Sequence, residues 1–221
     1  SIVAEVRGDY YSRIDDGKME SMRISPQLEW ELKNQVGGEV SLEYKQEGVA
    51  YDFELSDSVV IQAGDYSFLS AGMDFRTPDS RKVSVFMMME AGGFFDGRKF
   101  GIMVGPNLNL SSSFQLSGRY EYNAIHFPDR ATNNRLYIHS VNVKALYMLS
   151  TKLSASVLVQ YVNTEDDLIA NFRLRYNPRE GNDFYLVFNE YRGVEYRMEV
   201  PSHPPFYNRT IMLKYTHTFR L

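Results

Sequence analysis

Reading back from the C-terminus, every second residue is Leu221, Phe219, His217, Tyr215, Leu213 and Ile211. The set between them is Arg220, Thr218, Thr216, Lys214, Met212 and Thr210. One set is apolar and aromatic, and the other is polar or charged apart from Met212. A period of two predicts a β-strand, because successive side chains leave a strand on opposite faces. The alternation outlasts an average strand and exceeds the roughly 9–11 residues that a tilted strand needs to cross a bilayer.

The same pattern fills the rest of the chain. In Met19 to Lys33 the apolar face is Met22, Ile24, Pro26, Leu28, Trp30 and Leu32, against Arg23, Ser25, Gln27, Glu29, Glu31 and Lys33. Val40, Leu42 and Tyr44 face away from Glu39, Glu43 and Lys45. Residues 46–64 are irregular and read as a long connection, with a short strand near Val59–Ile61. Alternation resumes from Tyr66, continues through Val83, Val85, Met87 and Met89, and turns back at Gly92-Gly93 and Asp96-Gly97. Later strands carry Phe114, Leu116, Tyr120 and Tyr122 against Arg119 and Glu121, and Val141, Val143 and Ala145 against Lys144. Ala170, Phe172, Leu174 and Tyr176 then oppose Asn171, Arg173 and Arg175. No 3.6-residue apolar stripe with a cap at each end is present, so no helix is expected.

About twelve strands result, joined as an up-and-down meander. The connections sort by parity. Those near 34–38, 77–80, 111–113, 150–151 and 177–182 are all short, while the alternate set includes every long one, at 46–64, 127–134 and 192–206. Short turns opposite longer loops are the habit of a transmembrane barrel, and a Greek-key sandwich does not separate them so. The expected fold is therefore an all-β, antiparallel, up-and-down transmembrane β-barrel of about twelve strands, complete or part of a larger barrel.

Alternation alone does not say whether the apolar face points inward or toward lipid. Strand length and the parity of the loops favour lipid, and the aromatic content is the third sign. The chain has 16 Tyr and 14 Phe, and Tyr10, Tyr11, Tyr44, Tyr120, Tyr122, Tyr147, Tyr161, Tyr176 and Tyr207 fall at strand ends or beside turns, as aromatic girdles do. The mean hydropathy of −0.37 fits a barrel that mixes lipid-facing and lumen-facing residues.

Several stretches resemble one family: VIQAGDYSF (60–68), AGGFFDGRKFGI (91–102), GRYEYNAIHFP (118–128), the block from Ser154 to Glu190, and the ending MLKYTHTFRL. Within the long block, Val159-Gln160-Tyr161, Asn171-Phe172-Arg173-Leu174-Arg175-Tyr176 and Pro178 to Glu190 carry the likeness. The family is the C-terminal barrel region of Bacteroidetes-type outer-membrane proteins with an N-terminal family 9 carbohydrate-binding domain, the DUF5916 group. The resemblance implies the outer membrane of a Gram-negative bacterium and a link to carbohydrate binding or uptake. No such domain precedes Ser1, which leads straight into alternating Ile2, Ala4 and Val6. Residues 1–221 are therefore expected to be one barrel domain, the C-terminal part of a longer protein.

Chemistry is sparse. Without cysteine there is no thiolate ligand or nucleophile, and a net charge of −4 with no basic run gives nucleic acid no footprint. His126, His139, His203 and His217 lack metal-ligand spacing, so neither metal nor cofactor is expected. Glu29/Glu31 and Glu39/Glu43 have the look of a glycosidase pair, but a wall where they meet Arg23, Lys33 and Lys45 explains them more simply. The expected lumen-lining set is Arg23, Glu29, Glu31, Glu39, Glu43, Lys45, Arg119, Glu121, Lys144, Arg173, Arg175 and Lys214. The expected role is a non-enzymatic membrane anchor or pore. Its expected partners are outer-membrane lipid, the assembly machinery through the C-terminal strand, and other outer-membrane or surface proteins. Two alternatives stand beside it: a soluble β-barrel ligand-binding module and a segment of a carbohydrate-active hydrolase.

Overall fold

Alternating sequences of this length satisfy their backbone polar groups by pairing with neighbours, and the described residues are built that way. The computed structural model describes residues 1–15, 17–56, 59–164, 167–193 and 208–218. Every regular element among them is a strand: β1 (Ile2–Ser12), β2 (Met19–Glu31), β3 (Gly37–Val49), β4 (Phe53–Ser56), β5 (Val59–Ile61), β6 (Gly64–Arg76), β7 (Val83–Phe94), β8 (Gly97–Asn109), β9 (Phe114–His126), β10 (Arg135–Met148), β11 (Leu153–Val162), β12 (Asp167–Arg179), β13 (Asn182–Gly193) and β14 (Asn208–His217). Twelve strands form one sheet in the order β1-β2-β3-β6-β7-β8-β9-β10-β11-β12-β13-β14, while β4 and β5 form a separate hairpin. The fold class is all-β, antiparallel and up-and-down, with the strand order of a meander β-barrel.

Several expectations shift in detail. β3 runs on to Val49, and the connection after it (50–63) holds the β4–β5 hairpin rather than a lone strand. Gly92 and Gly93 lie inside β7, and the turn is Phe95-Asp96. The glycines serve close packing: a Cβ on Gly93 would sit 2.7 Å from the Phe68 Cβ. Lys33 falls in the turn after β2. The described part of the final strand is Asn208–His217. His203, Tyr207, Phe219, Arg220, Leu221 and the prolines at 201, 204 and 205 lie outside the described residues.

The chain forms two compact units, one of Ser1–Pro78, Val85–Val104 and Glu121–Ile138, the other of Asp79–Ser84, Gly105–Tyr120 and His139–Leu221. In the first unit the registers align polar side chains in rows across strands. Glu5, Gln27, Ser41, Gly72 and Glu90 are successive partners from β1 to β7, and so are Val3, Glu29, Glu39, Asp74 and Met88. This polar face is the sheltered one. Ser25, Gln27 and Ser70 are 6–8% exposed, whereas Ile24, Leu28, Leu42 and Leu69 on the opposite face are 42–58% exposed. Burial is inverted relative to a water-soluble sheet.

One apolar core does exist in this unit. Val59 and Ile61 of the β4–β5 hairpin pack with Ile125, Phe127 and Leu136. Ile125 and Leu136 alternate with the exposed His126 and Tyr137, so the hairpin covers the sheltered side of the sheet near its loop end. Phe95 takes a left-handed φ of 50°, costly for a bulky residue. Its ring contacts those of Phe53, Tyr66, Phe68 and Phe94 at 4.9–5.7 Å, which holds it there.

In the second unit β10 to β14 continue the ladder. Lys144, Leu158, Asn171, Asn189 and Thr210 form one row, and Met148, Ser154, Arg175, Tyr185 and Lys214 another. The apolar face carries Tyr176, Phe184 and Tyr215, with ring centroids 6.4 and 4.6 Å apart in sequence. The turn at 180–181 between β12 and β13 needs glycine, since Gly181 has φ +81°.

The ring of Phe127 is fully buried, so Phe127→Ala is expected to cost about 3–5 kcal/mol. Leu213→Ala, at a side chain 78% exposed, should cost no more than about 1 kcal/mol. Urea unfolding in detergent micelles measures both, and equal costs would show that the hairpin cluster is not a core.

Candidate functional site

The polar face of the first unit is a wall of paired charges. Arg23 donates from Nε to Asp9 at 2.9 Å and lies 3.5 Å from Glu43. Glu43 also takes Lys45 at 2.7 Å. Arg76 reaches Glu29 at 2.8 Å, and Lys99 reaches Glu90 at 2.9 Å. Gln27 bridges two carboxylates, donating to Glu5 at 2.7 Å and Glu39 at 3.1 Å. Asn123 donates to Glu121 at 2.9 Å. Glu43 is thereby shared between β2 and β3, while Glu121 is held within β9.

Six of the expected residues, Arg23, Glu29, Glu31, Glu39, Glu43 and Lys45, share this face, since β2 and β3 pair their odd-numbered residues with one another. Glu121 is in the same unit. Glu29 stands directly opposite Glu39, where Cβ atoms are about 4.5–5.5 Å apart. Two carboxylates so placed resemble a glycosidase pair, but Arg76 takes one and Gln27 the other.

Arg119, Lys144, Arg173, Arg175 and Lys214 belong to the second unit. Arg173 lies between Ser156 and Val187, and Arg175 between Ser154 and Tyr185, with Lys214 beyond Tyr185. Arg175 donates to Asp183 at 2.7 Å, and Asn177 joins at 3.0 Å. Gln160 donates to Asn142 at 2.6 Å, and Asn171 donates to Asn189. At the short-turn end, Arg175, Asn177, Asp183, Thr151 and Thr218 line an open polar recess of about 730 Å³. Cations outweigh carboxylates on this face, the reverse of the first unit.

Sequence reasoning missed Glu5, Asp9, Asp74, Arg76, Glu90 and Lys99. Arg76 and Asp74 follow a stretch whose alternation is weak, and the alternation of β1 shows its faces but not the partner of Asp9. The register supplies that partner, because Asp9 faces Arg23. Tyr11, expected in a girdle, shares the face of Asp9 and Arg23. β7 is apolar on both sides, since Met88 faces Asp74 while Met89 faces Met73. Among the described residues no group of three or more potential ligands is placed to hold a metal.

At the loop end of the first unit, Arg130 binds Asp96 through two 2.8 Å hydrogen bonds. It also donates to the Val60 carbonyl at 2.8 Å and lies 3.8 Å over the Phe127 ring. One side chain thus ties the 127–134 loop, the β7–β8 turn and the β4–β5 hairpin together.

No protein-family model matches the sequence, and no curated protein matches it. Among solved structures, the chain is similar to a "KdgM porin in complex with disordered oligogalacturonate", at 9% identity over all of both chains with a TM-score of 0.35. A "NanC porin structure" is similar at 9% identity over 99% of this chain and 100% of that one, with a TM-score of 0.40. At such TM-scores these likenesses transfer nothing to the chain's function.

Arg130→Ala removes the bidentate pair, the carbonyl bond and the ring contact together. Limited proteolysis within 50–63 is expected to run at least about tenfold faster, the equivalent of ~1.4 kcal/mol in local opening, with far-UV circular dichroism unchanged. An unchanged cleavage rate would show that the hairpin does not depend on this residue.

Proposed function

We propose that the chain is a transmembrane β-barrel of the outer membrane of a Gram-negative bacterium, with its apolar face in lipid and its polar face lining a narrow, hydrated, porin-like passage. The inverted burial carries this reading. Leu42, Leu69, Ile211 and Leu213 are 51–78% exposed while Ser25, Gln27, Ser70 and Ser84 are 2–8% exposed. Water would penalise so broad an apolar surface, and hydrocarbon would not. On β12 the apolar face runs through Leu168, Ala170, Phe172, Leu174 and Tyr176. Eight residue steps at ~3.3 Å and a ~40° tilt give about 20 Å along the bilayer normal. The apolar band of such barrels is about 25 Å tall. The stacked Tyr176, Phe184 and Tyr215 would form the girdle at the short-turn side.

In this reading the protein is not an enzyme: charged rows hold a polar solute's hydration and set its charge preference. The resemblance to the DUF5916 group extends the proposal to carbohydrate as the solute class and to a larger parent protein. Outer-membrane lipid, the assembly machinery acting on the C-terminal strand, and neighbouring surface proteins are its proposed partners. A soluble module is disfavoured by the exposed apolar face, and a hydrolase by the paired state of Glu29 and Glu39.

Cell fractionation with heat-modifiable gel mobility tests this. The protein should fractionate with the outer membrane and shift on boiling. Leu42→Arg, in the middle of β3, should destabilise the lipid-embedded fold by about 2–4 kcal/mol, whereas Ser41→Arg on the polar face should be tolerated. An aqueous protein with no mobility shift would reverse the assignment of the faces.

A further inference from the structure

The outward surface of β8, β9 and β10 at the loop end differs from the apolar band below it. Lys99 reaches Glu90 on the polar face, which puts Arg98 and Phe100 on the other side of β8. Ile125 and Phe127 are buried beneath the hairpin, which leaves His126 outward on β9. Leu136 is buried likewise, which leaves Arg135 and Tyr137 outward on β10. These side chains come together around a recess of about 340 Å³ lined by Arg98, Phe100, Ala124, His126, Arg135 and Tyr137.

Two arginines here face outward without compensation. Among the described residues neither Arg98 nor Arg135 makes an ion pair or a side-chain hydrogen bond. The comparable outward arginine of β14 is treated differently: Arg209 binds Glu190 at 3.1 Å and lies over Phe188. Below the cations come the exposed aromatics Phe100 and Tyr137. Lower still on β8, Ile102 and Val104 continue the apolar face. Cation, aromatic ring and aliphatic surface follow one another in the order of a lipid's phosphate, glycerol or sugar zone, and acyl chains.

We propose that this recess binds the phosphate-bearing headgroup of an outer-leaflet lipid, with Arg98 and Arg135 on the phosphate oxygens and the acyl chains along Phe100, Ile102 and Val104 of β8. The inference rests on the membrane reading above, with the longer loops on the outer side as in barrels of this kind. Arginine suits the task because its planar fork engages phosphate oxygens in pairs and stays charged. An interface location further strengthens each contact relative to bulk water. A lipid, rather than a free anion, is the occupant because the recess opens onto apolar wall.

The test uses the full chain refolded in detergent micelles, with heat-modifiable mobility checked for every variant. Native mass spectrometry then compares lipid A, enzymatically dephosphorylated lipid A and inorganic phosphate. Lipid A should bind at least tenfold tighter than its dephosphorylated form. Arg98→Ala with Arg135→Ala should abolish that preference, Arg98→Lys with Arg135→Lys should keep part of it, and Lys82→Ala at the opposite end should leave it intact. No preference in the folded wild type, or a preference that survives the double alanine variant, overturns the site. Displacement by inorganic phosphate at equal concentration overturns the lipid assignment. A chain that never shows the mobility shift refutes the membrane reading instead, so the two failures are distinguishable.

Discussion

Every peptide group in a sheet must find its partner on the next strand, and the period-two geometry that achieves this also sends side chains alternately to two environments. That constraint organises the whole chain. Once β2 is paired to β1 with Asp9 opposite Arg23, every odd position of β2 is committed to one face and every even position to the other. The commitment passes through β3, β6 and β7 by the same rule. In the lipid setting proposed here, a broken ladder would leave amides with no water to turn to. The regularity of the registers is thus the first requirement, and side-chain chemistry is arranged upon it.

The polar face shows what that arrangement achieves. Like charges directly opposite repel, and Glu29, Glu39 and Asp74 follow one another across three strands. The chain answers by drawing cations from elsewhere, Arg76 from the end of β6 to Glu29 and Lys45 along β3 to Glu43. Most of these pairs are half-exposed, so each adds little to stability. Their greater effect is on the field along the wall, acidic in the first unit and basic in the second.

The fold was largely legible because it is periodic. Residues such as Leu28, Leu42 and Phe172 announce their face through their neighbours two places away, and a meander places each strand beside the one before it in the sheet. Legibility failed where periodicity did. Residues 46–64 mix faces because part of them leaves the sheet, and nothing local says that Val59 and Ile61 bury against Phe127. β7 is apolar on both sides, so Met87 and Met89 suggested a single stripe when Met88 faces the charged wall. The expected wall residues of β2 and β3 share one face, but their partners depended on registers that composition does not encode. Arg130, which joins three connections, carried no local signal at all.

The β4–β5 hairpin has a further consequence for how the chain reaches its final form. Arg130 and the Val60 carbonyl it holds are 70 residues apart in sequence, and Ile125, Phe127 and Leu136 come from strands that follow the hairpin by a similar distance. Tyr66, Phe94 and Phe95 also pack against the cluster that holds Val59 and Ile61, but the buried partners of the hairpin arrive only with β9 and β10. Loop closure over so long a span is slow compared with hairpin formation. Full docking of the hairpin therefore requires β9 and β10 to be in place.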